Sequence, residues 1–196
     1  SPVLPAGWQA LLSRTANQTE VVVGTAVSGR SRPEFRGLVG CLFNTVPLRA
    51  DLGGEPAFRG LLRQVRGRLA AALAHQDFPS HQLAERLQPG RPGGVTGGGP
   101  FFQVHFLYQK PHLDLGHLVL DALFLEQEAA RSPLELEVFE AGDAVCAWLR
   151  YSTARFDAAT VERMARHLTR LLTEAVRDSE TPVSDLPLLE PAERAL

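Results

Sequence analysis

The strongest constraint on the fold is the run VVVGTAV at residues 21–27. Four of its seven residues are valine, and β-branched side chains favour strands over helices. A short apolar run of this kind, bounded by polar residues, is typical of a buried strand. We therefore expect residues 21–27 to form a strand in the interior of the fold.

The remaining elements follow from the spacing of apolar and turn-forming residues. Further strands are expected at 42–48 (ended by Pro47 and the polar residues after it), 101–108, 118–125, 134–139 and 144–151. Helices are expected from Ser1-Pro2 onward, at 58–73, after Pro79 and from Asp157 onward. The order helix, strands, helices, strands, helix predicts an α/β fold, a mixed-sheet α/β sandwich.

Composition excludes several classes of protein. The chain has 196 residues and a net charge of −2, which argues against nucleic-acid or membrane-surface binding through bulk charge. No apolar stretch is long enough for a membrane span, and no signal-peptide pattern is present. Two cysteines form neither a disulfide framework nor a zinc ligand set, so a cytoplasmic protein is expected. Lys110 is the single lysine among 20 basic residues, and the others are arginines. Because arginine codons are often GC-rich, the sequence suggests a bacterium with a GC-rich genome.

No pattern in the chain describes a complete active site. His75 and Asp77 could form an oriented base, but side chains two residues apart at a helix end do not naturally face each other, and capping of the helix junction is the simpler interpretation. The glycine-rich segment 93–99 lacks the Lys-Ser/Thr of a phosphate-binding loop. His105 is expected to be a core or sheet-face histidine, and the six histidines show no metal-ligand spacing.

A row of arginines is the remaining candidate for binding. Arg59, Arg63 and Arg66 lie at i, i+4 and i+7 of one predicted helix, opposite its apolar stripe. They could dock an acidic partner or a phosphate, or they could form a solvated helix face.

Six segments, in order, resemble motifs of the C-terminal lobe of a nonribosomal peptide synthetase condensation domain. The family's motifs VVGTPVAGR, IGFFVNTLPLR, HQDxPFE and NPLFQV are similar to the first four segments. The other two resemble the start of the last helix and the exit toward an adenylation domain. The segments are residues 22–30, 38–49, 75–79, 100–104, 156–164 and 182–189.

The resemblance implies a chloramphenicol-acetyltransferase-like lobe, with residues 1–180 as the lobe and 181–196 as an extended strap and linker. In this family the catalytic HHxxxDG motif lies in the N-terminal lobe, and it does not occur here. The chain would then be inactive alone. Its partners would be the N-terminal lobe, peptidyl carrier proteins bearing phosphopantetheine, and a following adenylation domain. No cofactor or metal is expected in the chain itself.

The resemblance also suggests roles for five residues that line the tunnel or support its loops: Arg30, Asn44, His75, Asp77 and Gln103. Asn44 is expected to hold the loop 28–37, whose Gly29 and Gly37 permit unusual backbone angles. His75 and Asp77 are expected to lock the helix junction.

Two other functions stay open. The chain departs from the family at 80–81, 91–99 and 130–134, so a divergent domain that only docks carrier proteins is the main alternative. A free-standing acyltransferase would need a base within the chain, for which His75 is the candidate. If the chain is a lobe, one apolar face is normally covered, and the isolated chain is expected to self-associate.

Overall fold

A computed structural model describes residues 2–35, 37–87, 103–109, 132–141, 144–189 and 193. Within them lie four α-helices, α1 (Val3–Ala16), α2 (Phe58–Ala74), α3 (Ser80–Leu87) and α4 (Ala158–Arg177). Five strands are β1 (Glu20–Val27), β2 (Asn44–Asp51), β3 (Val104–Gln109), β4 (Leu134–Ala141) and β5 (Ala144–Tyr151), and a short 3-10 helix spans Pro33–Phe35. The predicted strand 118–125 and the glycine-rich segment lie outside the described residues.

The five strands form one mixed sheet in the order β2-β1-β3-β4-β5. The outer pairs β1–β2 and β4–β5 are antiparallel, whereas β3 runs parallel to β1 and β4. The predicted buried strand is therefore β1, which lies inside the sheet between β2 and β3. The mixed α/β sandwich predicted from the sequence is confirmed.

Helices α1, α2 and α4 cover one face of the sheet. This helix face of the sheet carries Val23, Leu48, Phe106 and Val138, all buried in a single apolar core. The other side chains of the same strands point to the second face of the sheet, which carries His105 of β3 and Glu135 and Glu137 of β4. Alternation along each strand thus separates an apolar core from a polar face.

Helix α1 is buried on all sides rather than along one stripe. Its residues Pro5–Leu11 are all buried, and small residues allow neighbours to approach closely. A Cβ at Gly7 would lie 2.3 Å from Cδ2 of Leu172 in α4, so glycine is needed for this contact. The side-chain amide of Gln9 donates to the carbonyl oxygen of Leu48 at 2.8 Å and joins α1 to β2.

The boundaries of β2 differ from the expected 42–48. The strand begins at Asn44 and continues through Pro47 to Asp51, with Pro47 opposite Gly24. Because β2 is an edge strand, a proline without a backbone N–H can be accommodated there. The expectation that Pro47 ends the strand was therefore wrong.

The other predicted elements agree more closely. The predicted strands at 134–139 and 144–151 correspond to β4 and β5, and α3 follows Pro79 as expected. Asp157 caps α4 by accepting a hydrogen bond from the backbone N–H of Thr160 at 2.7 Å, and this bond lowers the pKa of its carboxyl. In the described part of the chain, no helix is long and apolar enough to cross a bilayer.

Residues 179–189 run over the ends of α1 and α2. Val183 and Leu186 are 3% and 1% exposed and belong to the core. Arg14 in α1 donates to the carbonyl oxygens of both, and burial lowers the pKa of its guanidinium. Backbone hydrogen bonds from Phe58 and Arg59 reach the carbonyl oxygens of residues 181 and 179.

We expect Leu186→Ala to lower the free energy of unfolding by about 2–4 kcal/mol, because it removes a fully buried side chain. Leu189→Ala is the matched control, since Leu189 is 44% exposed and its loss should cost less than about 0.5 kcal/mol. Urea unfolding followed by fluorescence measures both variants. Equal effects would contradict the packing of this segment into the core.

Candidate functional site

A cavity of about 310 Å³ lies on the second face of the sheet, toward the ends of β1 and β3. Its walls come from the end of β1, the start of β2, most of β3 and one residue of β4. Apolar and polar groups are mixed in the lining: Ala26, Val27, Ser28, Phe43, Thr45, His105, Leu107, Tyr108, Gln109 and Glu135. The cavity is at the small end of the range for small-ligand pockets.

The imidazole of His105 forms part of the cavity wall. It is 5% exposed, and burial lowers the pKa of its side chain below the ordinary value of 6.5. The ring is therefore neutral at pH 7. The structure thus places His105 on the sheet face, as expected from the sequence, but beside a cavity that the sequence did not reveal.

Two glutamates of β4, Glu135 and Glu137, form a charged group beside His105. Glu135 and Glu137 are 7% and 5% exposed, and both lie within ion-pair distance of Arg150 on β5. The guanidinium of Arg150 also lies 5.3 Å from the ring centre of Trp148. The alternation of these glutamates with leucines is visible in the sequence, but their burial follows from the pairing with β5, which the sequence alone did not indicate.

The β1–β2 loop, residues 28–43, contributes Ser28 and Phe43 to the cavity. Gly29 has φ +65°, and a Cβ there would lie 1.8 Å from the carbonyl oxygen of Leu42, so the loop closes on itself at a position that requires glycine. Arg30 holds the loop from inside by donating to the carbonyl oxygens of Phe35 at 2.5 Å and Gly40 at 3.0 Å. Arg30 thus has loop-supporting contacts.

Asn44, the first residue of β2, connects the cavity wall to the α2–α3 junction at residues 75–80. Its side-chain nitrogen donates to the carbonyl oxygens of Gln76 (3.0 Å) and Phe78 (2.7 Å), and its oxygen accepts from the backbone N–H of Ser80 at 3.1 Å. The expectation that Asn44 holds the loop 28–37 was therefore wrong. Its three hydrogen bonds hold the helix junction.

His75 and Asp77 do different things at this junction. The backbone N–H of His75 ends α2 by bonding to the carbonyl oxygen of Ala72 at 3.2 Å, while its imidazole is exposed. Asp77 accepts a hydrogen bond from the hydroxyl of Ser31 at 3.0 Å and so joins the junction to the β1–β2 loop. Within the described residues the two side chains do not bond to each other, as expected from their spacing.

Gln103 and the arginine row lie away from the cavity lining. Gln103 is exposed just before β3. Arg59 pairs with Glu180 at 2.7 Å, whereas Arg63 and Arg66 are exposed and make no ion pair in the part of the chain that the structure covers. In the whole of the described structure, no group of three or more His, Cys, Asp or Glu side chains could hold a metal ion.

The comparisons with known proteins agree on one family. The family model described as "Condensation domain" matches residues 1–196. Malpinin synthetase of Mortierella alpina is 38% identical over 192 residues, which is 96% of this chain and 2% of that protein. A linear gramicidin synthase of Brevibacillus parabrevis is 38% identical over 196 residues, 97% of this chain and again 2% of the relative. The chain thus spans a small part of these relatives.

Solved structures share the fold at lower sequence identity. A four-domain nonribosomal peptide synthetase bound to AMP and glycine matches all of the chain with a TM-score of 0.85 and 22% identity, over 16% of its own length. The X-domain from teicoplanin biosynthesis, in complex with OxyB, has a TM-score of 0.81 at 24% identity. The starter condensation domain of rhizomide synthetase has a TM-score of 0.78 at 22% identity. In these last two, 96% of the chain covers 42–43% of the matched chain.

Replacing Asn44 should open the α2–α3 junction locally. Asn44→Ala removes three hydrogen bonds, so we expect amide exchange at Ser80 to accelerate, corresponding to about 1–3 kcal/mol of lost protection. Asn44→Asp keeps an acceptor for Ser80 but turns an anionic oxygen toward two carbonyl groups, and it should also weaken the junction. Gln103→Ala is the control, because it removes an exposed side-chain amide and should leave exchange at Ser80 unchanged. Unchanged exchange at Ser80 in Asn44→Ala would contradict this role.

His105 should make stability depend on pH. In the unfolded chain His105 binds a proton below about pH 6.5, whereas the folded chain binds it only at lower pH. The contribution of His105 to stability is therefore fully present above about pH 6.5 and is lost as the pH falls toward the folded pKa. The free energy of unfolding then changes by at most about 1.4 kcal/mol per pH unit. His105→Gln should remove this part of the slope in urea titrations at pH 5–7. His75→Gln, at an exposed imidazole, should retain it, and an unchanged slope in His105→Gln would refute the assignment.

Proposed function

Because the chain belongs to the condensation-domain family of nonribosomal peptide synthetases, we propose that it forms the C-terminal lobe of such a domain. The observation that carries this proposal is the extent of the structural match. Nearly the whole chain superimposes on about two fifths of each matched chain with this fold. The lobe would form one wall of a tunnel in which carrier-bound aminoacyl or acyl thioesters are joined by an amide bond. Lacking the HHxxxDG motif, it would be inactive alone.

The cavity and the β1–β2 loop are the parts of the chain suited to line this tunnel. In the reaction, the acceptor amine attacks the donor thioester carbonyl, a C–N bond forms, the C–S bond breaks, and the amine proton passes to the released thiol. The phosphopantetheine arms belong to the carrier proteins and act here as substrate. Arg30, Asn44 and Asp77 would keep the tunnel wall and its loop in position, whereas His75 would act only through its backbone and Gln103 would lie at the wall's exposed end.

Exposed apolar residues beside the cavity support a missing partner. Leu38, Val39, Leu42 and Phe43 of the β1–β2 loop are between 36% and 104% exposed. An exposed apolar surface next to a cavity is typical of a site that another domain covers. The N-terminal lobe would cover it in the complete domain, and the isolated chain would self-associate through it.

Two further partners would bind at the C-terminal segment and at the arginines of α2. Residues 181–196 would lead toward a following adenylation domain, starting from the segment that Arg14 clamps. Arg63 and Arg66, unlike Arg59, carry charge that no described residue pairs, and they would be free to dock an acidic carrier protein.

A second function, a docking platform without chemistry, is favoured by one observation. The X-domain that shares this fold was solved in complex with another protein, OxyB. A domain of the same shape can therefore serve as a binding surface. In that case the parent domain would bind carrier proteins but form no amide.

The test compares the chain alone with a longer protein that includes the polypeptide preceding it. Each is mixed with donor and acceptor carrier proteins loaded with thioesters, and the amide product is measured by mass spectrometry. We expect product from the longer protein and none from the chain alone. Light scattering on the chain alone measures its self-association.

Each other outcome selects a different function. Product from the chain alone would contradict the lobe proposal, and its loss in His105→Gln would identify a free-standing acyltransferase whose base lies in the cavity rather than at His75. Carrier binding by the longer protein without product would favour the docking platform. Arg63→Glu with Arg66→Glu should weaken carrier binding about tenfold in either case.

A further inference from the structure

A polar row crosses three strands on the second face of the sheet. His105 on β3 pairs in register with Glu135 on β4, and Glu135 pairs in register with Arg150 on β5. Glu135 also lines the cavity, so its carboxylate is both part of the row and part of the cavity wall. The side chain of Glu135 is only 9% exposed, and a buried carboxylate lowers the stability of the fold unless another group compensates its charge.

The described partners compensate one of the two buried carboxylates, Glu135 and Glu137, much better than the other. Glu137 has the closest contact with Arg150 and accepts a further hydrogen bond from the side-chain amide of Gln109. Glu135 lies at 3.4 Å from the same guanidinium. Among the described residues, one cation shared by Glu135 and Glu137 leaves one negative charge, and Glu135 is the carboxylate that lines the cavity.

His105 does not supply the missing positive charge. Burial lowers the pKa of its imidazole, so the ring is neutral at pH 7. The hydroxyl of Tyr108, another lining residue, is directed to Glu140. Ala26, Val27, Phe43 and Leu107 make the apolar part of the lining, and Ser28, Thr45 and Gln109 add polar groups without charge. The cavity therefore combines an apolar surface and uncharged polar groups with one partly compensated carboxylate.

We propose that this cavity binds a ligand with a short apolar chain ending in a primary ammonium group, and that Glu135 is the residue that selects the charge. Charge-assisted hydrogen bonds in a site shielded from water are stronger than neutral ones, which makes the selection effective. The inference deepens the proposed function and rests on it only for the identity of the ligand. In a condensation domain, the ligand would be the basic side chain of a carrier-bound aminoacyl group, such as ornithyl or lysyl.

The binding test uses three small probes of equal length: pentylammonium, pentanol and pentanoate. Each is titrated at pH 7 into the 196-residue chain labelled with ¹⁵N, and shifts of the amides of Thr45 and Leu107 report occupancy of the cavity. We expect pentylammonium to bind about tenfold more tightly than pentanoate and several-fold more tightly than pentanol. Pentanoate binding as tightly as pentylammonium at these amides would overturn the proposal without any variant.

Variants then assign the selection to one residue. Glu135→Gln should abolish the preference for pentylammonium over pentanol, while Glu135→Asp should retain it. Glu20→Gln removes the same charge from the exposed start of β1, where Glu20 pairs with Arg49, and should leave the preference unchanged. Thermal melts check that each variant is folded. A folded Glu135→Gln that keeps the full preference would overturn the assignment, and so would loss of the preference in Glu20→Gln.

A separate measurement distinguishes failure of this inference from failure of the proposed function. The longer protein is offered equal amounts of ornithyl and norvalyl acceptor thioesters, which differ in the ammonium group. We expect ornithyl product to dominate, and Glu135→Gln to reduce the product ratio about tenfold. If the longer protein forms no amide, the proposed function fails and the probe titration alone decides the inference. Amide formation with an unchanged ratio in Glu135→Gln would contradict the inference and leave the function intact.

Discussion

The alternation of side chains along the five strands is the constraint on which the rest of the structure depends. Val23 and Val138 are fully buried on the helix face, while His105 and Glu137, on neighbouring strands, point to the second face. A shift of one residue in the register of β4 would move Glu135 and Glu137 into the helical core and Leu134 and Leu136 to the second face. The core and the cavity wall are therefore specified together, and the cavity is built on rigid strands.

The cavity wall and the helix junction also form one connected unit. Asn44 follows Phe43 and precedes Thr45, both of which line the cavity, and its side chain holds the junction between α2 and α3. Asp77 ties that junction to the β1–β2 loop through Ser31. A change at the end of α2 is thus coupled through hydrogen bonds to the groups that line the cavity.

Local patterns were sufficient to predict much of the fold. The buried strand β1, the capped helix α4 and the adjacent strands β4 and β5 each follow from residues that are close in the sequence. The extent of β2 was not predictable in this way, because Pro47 is tolerated only where a strand lies at the edge of a sheet, and edge position is a property of the whole sheet.

The site was less predictable, because its contacts join distant parts of the chain. Asn44 could be recognised as a residue in need of hydrogen bonds, but its partners lie 32 to 36 residues later. The burial of Glu135 and Glu137 depends on the register with Arg150, which alternation alone does not set. The motif resemblance pointed to Arg30, Asn44 and Asp77, whose contacts lie in the β1–β2 loop and the helix junction, but it gave no indication of Glu135.

The proposed second lobe would affect both the exposed apolar loop and the buried carboxylate. The sheet and one loop provide a wall for the cavity, and the apolar residues Leu38, Val39 and Phe43 beside it remain in contact with water. A second lobe placed over this loop would bury that surface and exclude water from the cavity. Exclusion of water lowers the local dielectric and strengthens the attraction between Glu135 and a bound cation. Selection of a ligand by charge would then be strongest in the complete domain that we propose.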